Sequence, residues 1–173
     1  VPPFTARQRL VVRNLPDTSM LPAPSPRDAA PRALYVGDVR RSRGLFAMLD
    51  ALAAAPSWTL DVVGPVSATD QPELDAWLAS SPAASRVRFH GRMPPAGAWA
   101  LARGAWAGLS LLEPTPAFTA AVPSKVYEYL ACGLACLVSP LPRQAALVAE
   151  AGAGSAVAGA AEAAVVLESW ASD

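Results

Sequence analysis

The residues of this chain that could do chemistry gather in one stretch, Pro123-Ser124-Lys125-Val126-Tyr127-Glu128-Tyr129-Leu130-Ala131-Cys132-Gly133. Proline suits the start of a helix, where its missing N–H has no intrahelical partner to lose. Ser124 and Lys125 then fall in the first turn, where free backbone N–H groups and the positive end of the helix dipole attract anions. Glu128 follows one turn later on the side that Ser124 faces. Gly133 can take the left-handed conformation that ends a helix, and the apolar run after it predicts a buried strand. The stretch therefore places a cation at the anion-attracting end of a helix, with an acceptor carboxylate one turn on. From spacing alone, an ordinary helix–strand joint with two solvated charges fits equally well.

Other chemistries have less support. Arg40, Arg41 and Arg43 follow Gly37 between a predicted strand and a predicted helix, where guanidinium groups could clamp a phosphate that Gly37 lets approach the backbone. For Arg40 and Arg41 a solvated basic turn is the expectation. Cys132 and Cys136 are the only cysteines and His90 the only histidine, too few to complete a zinc set, so two buried, reduced thiols are expected. Gly37-Asp38-Val39-Arg40 does not match the dinucleotide fingerprint GxGxxG, and no P-loop is present. Gly152-Ala153-Gly154 follows a predicted helix and reads as a stop and turn. One histidine and no nucleophile elbow argue against a hydrolase triad.

The 173 residues suit a domain of ~100–200 residues. Hydrophobic residues make up 53%, much of it alanine, which signals helix more than greasiness. No apolar run approaches the ~20 residues that span a bilayer, and no signal peptide is evident. A first residue of valine suggests a fragment or a processed product. Fourteen basic residues balance fourteen acidic ones, so binding of nucleic acid or anionic membrane through bulk charge is not expected. Any phosphate site must be local.

Strand and helix patterns alternate along the chain. Strands are predicted at residues 8–13, 33–36, 58–63, 87–89, 106–112 and 134–139. Helices are predicted at 44–55, from a capping-box-like Asp70 and Glu73 through Leu74, Trp77 and Leu78, at 94–103, after Pro123, at 142–152 and at 160–171. The proline-rich residues 14–32 resist helix and central strand and read as an extended linker. The expected organisation is residues 1–32 as a short strand and interdomain linker, and residues 33–173 as a Rossmann-like domain. The expected fold is α/β: a doubly wound, mostly parallel sheet with helices on both faces. Ligands in such sheets bind beyond the carboxyl ends of the strands, which selects the loops 37–44, 64–70, 90–94 and 113–125.

The run from Pro123 to Gly133 resembles the donor-site helix of the family-4 glycosyltransferases, which have the two-domain GT-B fold. In order along the chain, Tyr35-Val36-Gly37 through Arg43-Gly44 resembles their first strand and phosphate loop, and Val62-Val63-Gly64 the second strand end. Val87-Arg88-Phe89-His90-Gly91-Arg92-Met93 resembles their base-binding turn. The resemblance implies the C-terminal, nucleotide-sugar-binding half of such an enzyme, inactive by itself, with the acceptor-binding N-terminal domain as its missing partner. It implies a cytoplasmic protein that transfers a sugar with retention from a nucleoside-diphosphate donor to a glycan or small-molecule acceptor. No metal or other cofactor is implied, no nucleic acid, and membrane association only through the missing half. The implied donor-binding residues are Gly37, Arg43, Gly91, Met93, Ser124, Lys125 and Glu128, with no catalytic residue assigned in this half. Arg43, Ser124 and Lys125 would hold the diphosphate, Glu128 the ribose hydroxyls, and the turn at Gly91 and Met93 the base. Two positions depart from the family pattern. Ala120 stands where the first of two paired glutamates is usual, and Asp38 where an arginine is usual. The alternative from another class is a non-catalytic Rossmann-like module that uses this surface to bind a protein.

Overall fold

In a computed structural model, residues 15–172 are described, so the strand expected at residues 8–13 lies outside the described residues. The elements run β1 (Arg32–Val36), α1 (Leu45–Ala54), β2 (Thr59–Val63), α2 (Gln71–Ser80), β3 (Val87–Gly91), α3 (Pro95–Ala100), β4 (Ala107–Ser110), α4 (Pro116–Thr119), α5 (Ser124–Ala131), β5 (Ala135–Val138), α6 (Pro142–Ala151), β6 (Gly154–Ala156) and α7 (Ala160–Ser172). The six strands form one sheet in the order β3-β2-β1-β4-β5-β6, and every pairing is parallel. The strand order reverses between β1 and β4, which opens a crevice at the carboxyl edge there. Among the described residues no helix is long and apolar enough to cross a membrane.

Parallel strands buried on both faces need continuous apolar runs, and Ala33-Leu34-Tyr35 and Cys136-Leu137-Val138 supply them. Tyr35, Leu60, Val62, Leu109 and Leu137 face one layer, where they pack on Leu45, Met48, Leu49 and Leu52 of α1 and on Ala163 and Leu167 of α7. Leu34, Val63, Cys136 and Val138 face the other layer, against Trp99 of α3, Val126 and Tyr129 of α5, and Val148 of α6. Both cysteines are buried and free, and burial pushes their thiols up to about 11 for Cys132 and about 12 for Cys136. That is the behaviour of structural thiols.

Several local expectations are revised. Asp70 makes no capping bond; its carboxylate accepts from the Arg41 backbone N–H instead, and Glu73 pairs with the Arg41 guanidinium. A tertiary partner has taken both carboxylates that the spacing assigned to a cap. The helix expected to reach residue 103 ends at Ala100, and the chain turns through left-handed Gly104 to enter β4. β4 is shorter than its apolar run. The long loop after β4 holds one helical turn, α4, capped by Thr115, whose hydroxyl accepts from the Phe118 N–H. β6, Gly-Ser-Ala, is too short and too small to give a strand signal.

The proline-rich segment is irregular apart from one 3-10 turn at Thr18–Met20, and its contacts are with the domain. The Asp28 N–H donates to the Gly104 carbonyl at 2.8 Å, the Ser25 hydroxyl accepts from the Gly104 N–H, and Arg27 lies 5.2 Å above the Trp106 ring.

What seats α5 on the sheet is a ring over a glycine. A Cβ on Gly108 in β4 would come within 2.1 Å of the Tyr129 ring. The fully buried Tyr129 hydroxyl accepts from the Val36 N–H at 3.1 Å and donates to the Leu109 carbonyl at 3.3 Å. It thereby links β1 and β4 across the crevice. Gly108→Ala should destabilise the fold by ~1–3 kcal/mol through overpacking. Tyr129→Phe should cost about 1–3 kcal/mol by leaving a buried N–H unpaired. Chemical denaturation checks both, and wild-type stability in either variant would show that α5 is not seated this way.

Candidate functional site

The carboxyl edge brings together most of the residues singled out from sequence. α5 begins at Ser124 with Pro123 as its N-cap, one position earlier in the helix than the sequence suggested, and Gly133 follows with φ +77°. Lys125 is 5% exposed, and among the described residues its Nζ has no hydrogen-bond partner. The ammonium lies 3.8 Å from the centroid of the Tyr35 ring, on the ring face. That contact attracts a cation but does not use its N–H donors. Gly37 forms the other wall, since a Cβ there would meet Lys125 Nζ at 3.0 Å.

Gly37 also has φ +141°, and a Cβ on its neighbour Gly64 would sit 1.9 Å from the Gly37 carbonyl oxygen. Side chains at this pair would separate β1 from β2 where the cup forms. Arg43 closes the cup from a 3-10 turn, Arg41–Arg43. Its guanidinium lies 5.7 Å above the Phe118 ring, and its Nε is buried without a hydrogen-bond partner among the described residues. Two buried cationic nitrogens without hydrogen-bond partners among the described residues therefore lie near enough for the charge of one to act on the other. Arg40 and Arg41 turn away from it, pairing at the surface with Asp38 and Glu73.

Charge in the cup follows from burial. Burial, with the Arg43 charge second, pulls the Lys125 ammonium down to about 7, against a smaller pull upward from Glu128 and Asp38. Half-buried Glu128 is pushed up by burial, opposed by a hydrogen bond from Ser124 and by the Lys125 charge. The chemistry this arrangement can do is to receive an anion. Gly91 and Met93 lie apart from the cup at the exit of β3: Gly91 is left-handed at φ +63°, and Met93 is half-buried beside α3. The Gly91 carbonyl accepts from the Gly64 N–H at 2.8 Å, which joins that turn to the wall of the cup. Sequence reasoning missed Tyr35 and Phe118 as the aromatic floors under the two cations. Tyr35 gave no signal, being one apolar-face residue in a strand.

A family model, glycosyl transferases group 1, matches residues 21–170. The chain belongs to that family. A search of the curated proteins finds no match. Among solved structures the domain is similar to sucrose-phosphate synthase from Thermosynechococcus elongatus, at 20% identity and a TM-score of 0.72 over 84% of this chain and 37% of that one. It is similar to Anabaena Alr3699/HepE in complex with UDP and glucose, at 17% identity and a TM-score of 0.62 over 80% of this chain and 38% of that one. The C-terminal domain of LpcC, a glycosyl transferase group 1 family protein from Francisella tularensis, matches at 16% identity and a TM-score of 0.59 over 87% of this chain and 78% of that one. At such identities the likeness is one of fold: a Rossmann-like half of the GT-B type. This glycosyltransferase domain spans less than two-fifths of the first two chains.

The buried lysine gives the domain a pH signature. The folded chain releases the Lys125 proton near pH 7, whereas the ordinary lysine value is 10.5. Between those values the unfolded state binds one proton more, so stability rises with pH, by at most ~1.4 kcal/mol per unit. Below about pH 7 the ammonium is charged in both states and that gain is absent. Lys125→Met removes the slope. Denaturation of parent and variant at about pH 7 and about pH 9.5 should show the parent gaining relative to the variant as pH rises. Parallel behaviour would place Lys125 in water.

Proposed function

We propose that the chain is the nucleotide-sugar-binding domain of a retaining, metal-independent, cytoplasmic glycosyltransferase of family 4. It would act with a second, acceptor-binding domain to pass a sugar from a nucleoside-diphosphate donor to a glycan or small-molecule acceptor. The observation that carries this reading is the pair of buried cationic nitrogens, Lys125 Nζ and Arg43 Nε, that have no hydrogen-bond partner among the described residues, by the crevice where the strand order reverses. HepE is described in complex with UDP, with UDP and glucose, and with UDP-glucose, which makes UDP the first ligand to test here.

In this reading the bond between the anomeric carbon and the diphosphate oxygen breaks, and its electron pair leaves with the diphosphate. Lys125, Arg43 and the N-terminus of α5 would receive the charge that builds there, and stabilising developing charge is commonly the largest catalytic term. Gly37 would let the diphosphate lie against backbone. Ser124 would hold the diphosphate together with Lys125, Glu128 would face the ribose, and the turn at Gly91 and Met93 the base. The linker at residues 14–32 would join the two domains and allow the cleft to close.

Calorimetry with UDP and with inorganic pyrophosphate tests the assignment. Lys125→Ala should weaken UDP by roughly ten- to a hundredfold, the worth of a charge-assisted hydrogen bond of ~1.5–3 kcal/mol. Glu128→Gln keeps size and replaces one acceptor oxygen with a donor. It should weaken UDP while leaving pyrophosphate nearly unchanged. Equal affinities of parent and Glu128→Gln for UDP would remove Glu128 from the site, and a parent that binds neither ligand would overturn the reading.

A further inference from the structure

One buried charged group in this domain belongs to no role so far described. Asp61, in the middle of β2, is 3% exposed and the lone charge of that strand. Its Oδ1 lies 2.7 Å from His90 Nε2, and its Oδ2 accepts from Arg32 Nη1 at 3.0 Å. A carboxylate can only accept, so Nε2 is the protonated nitrogen of His90 in this contact. Arg32 goes on to donate to the carbonyls of Leu101 at 2.8 Å and Arg103 at 2.6 Å.

These bonds hold one segment at both ends. His90 is where it begins, and Leu101 and Arg103 are where it returns, with the turn at Gly91–Met93 and α3 between them. His90 is also the irregular residue of the sheet: Phe89 pairs with Val62 and Gly91 with Val63, so His90 is the extra residue of a bulge. A bulge re-aims the chain that follows it, and its direction is free unless something fixes it. Here the fixed point is a buried carboxylate, itself held by Arg32. The turn then reaches the cup through backbone: the Gly91 carbonyl bonds the Gly64 N–H, Gly64 abuts Gly37, and Gly37 walls Lys125.

We infer that Arg32, Asp61 and His90 form a positioning device that sets the turn at Gly91–Met93 against the phosphate cup, so that base and diphosphate of one nucleotide are gripped together. The inference rests on the donor-site reading proposed above. His90 is a positioning residue in it and touches no ligand: its ring is turned toward the buried carboxylate. A group that only stabilised the sheet would lower the affinity of every ligand alike, or of none. A group that aims the base turn changes the affinity for a nucleotide relative to that for its phosphates alone.

The test compares UDP with inorganic pyrophosphate by calorimetry on the full chain, with thermal denaturation alongside. His90→Leu should weaken UDP by roughly three- to tenfold while pyrophosphate stays within about twofold of the parent. His90→Gln, whose amide nitrogen reaches the place of Nε2, should recover most of the loss. If the apolar variant does not fold, His90→Asn, too short to reach Asp61, is read in the same way. An unchanged ratio of UDP to pyrophosphate affinity in these variants overturns the inference and leaves the donor site standing. A parent that binds pyrophosphate but not UDP overturns this inference, and a parent that binds neither ligand overturns the donor-site reading with it.

Discussion

An ammonium taken out of water without a counter-ion is costly, and proteins seldom keep one unless something else will meet it. Lys125 is buried on the face of Tyr35 and against the backbone of Gly37, with no hydrogen-bond partner among the described residues and with Arg43 close enough to depress its proton affinity further. Two like charges near each other in a crevice are worse than one. The arrangement becomes reasonable when an anion arrives, because each unused donor then gains a charge-assisted bond and the mutual repulsion is offset. Much of the surrounding structure can be read as what keeps the two cations in place. Tyr35 and Phe118 offer ring faces, which hold a cation loosely and leave its N–H groups free.

The sheet supplies the geometry for this. The strand order reverses between β1 and β4, so the loop after β1 brings Arg43 and Gly37, and the loop after β4 leads into α5 with Lys125 at its first turn. α5 can lie close to the sheet because Gly108 leaves room for the Tyr129 ring, whose hydroxyl then ties the two strands that border the crevice. The position of Lys125 thus depends on a glycine in a different strand and a tyrosine one turn further along its own helix.

Much of this was legible in the residues. Proline, serine and lysine in succession, then a glycine after two turns, marked α5 because each suits a particular end of a helix. α7 was legible because Ala163, Val166, Leu167 and Trp170 repeat at helical spacing. The apolar runs marked the strands that are buried on both faces. What could not be read depends on partners far apart in the chain. Asp61 carried no reading of its own within the strand at 58–63, because its two partners lie 29 residues away on either side. The Asp70 and Glu73 spacing favoured a helix cap, but Arg41, 32 residues before Glu73, competes for both carboxylates and wins. Gly108 carries no signal until Tyr129 is placed above it. β6 is too brief to leave a period.

The central claim is that Lys125 waits in the cup with its proton loosely held and takes it firmly when a diphosphate binds. At about pH 8 the free domain carries this lysine mostly neutral, since its value lies near 7. A bound diphosphate restores the charged form by pairing with it, so binding must draw a proton from solution. Titrating UDP into the domain at that pH, in two buffers of different ionisation enthalpy, counts that proton directly. The account predicts an uptake close to one proton per nucleotide, lost in Lys125→Met. Tight UDP binding with no proton uptake would contradict it.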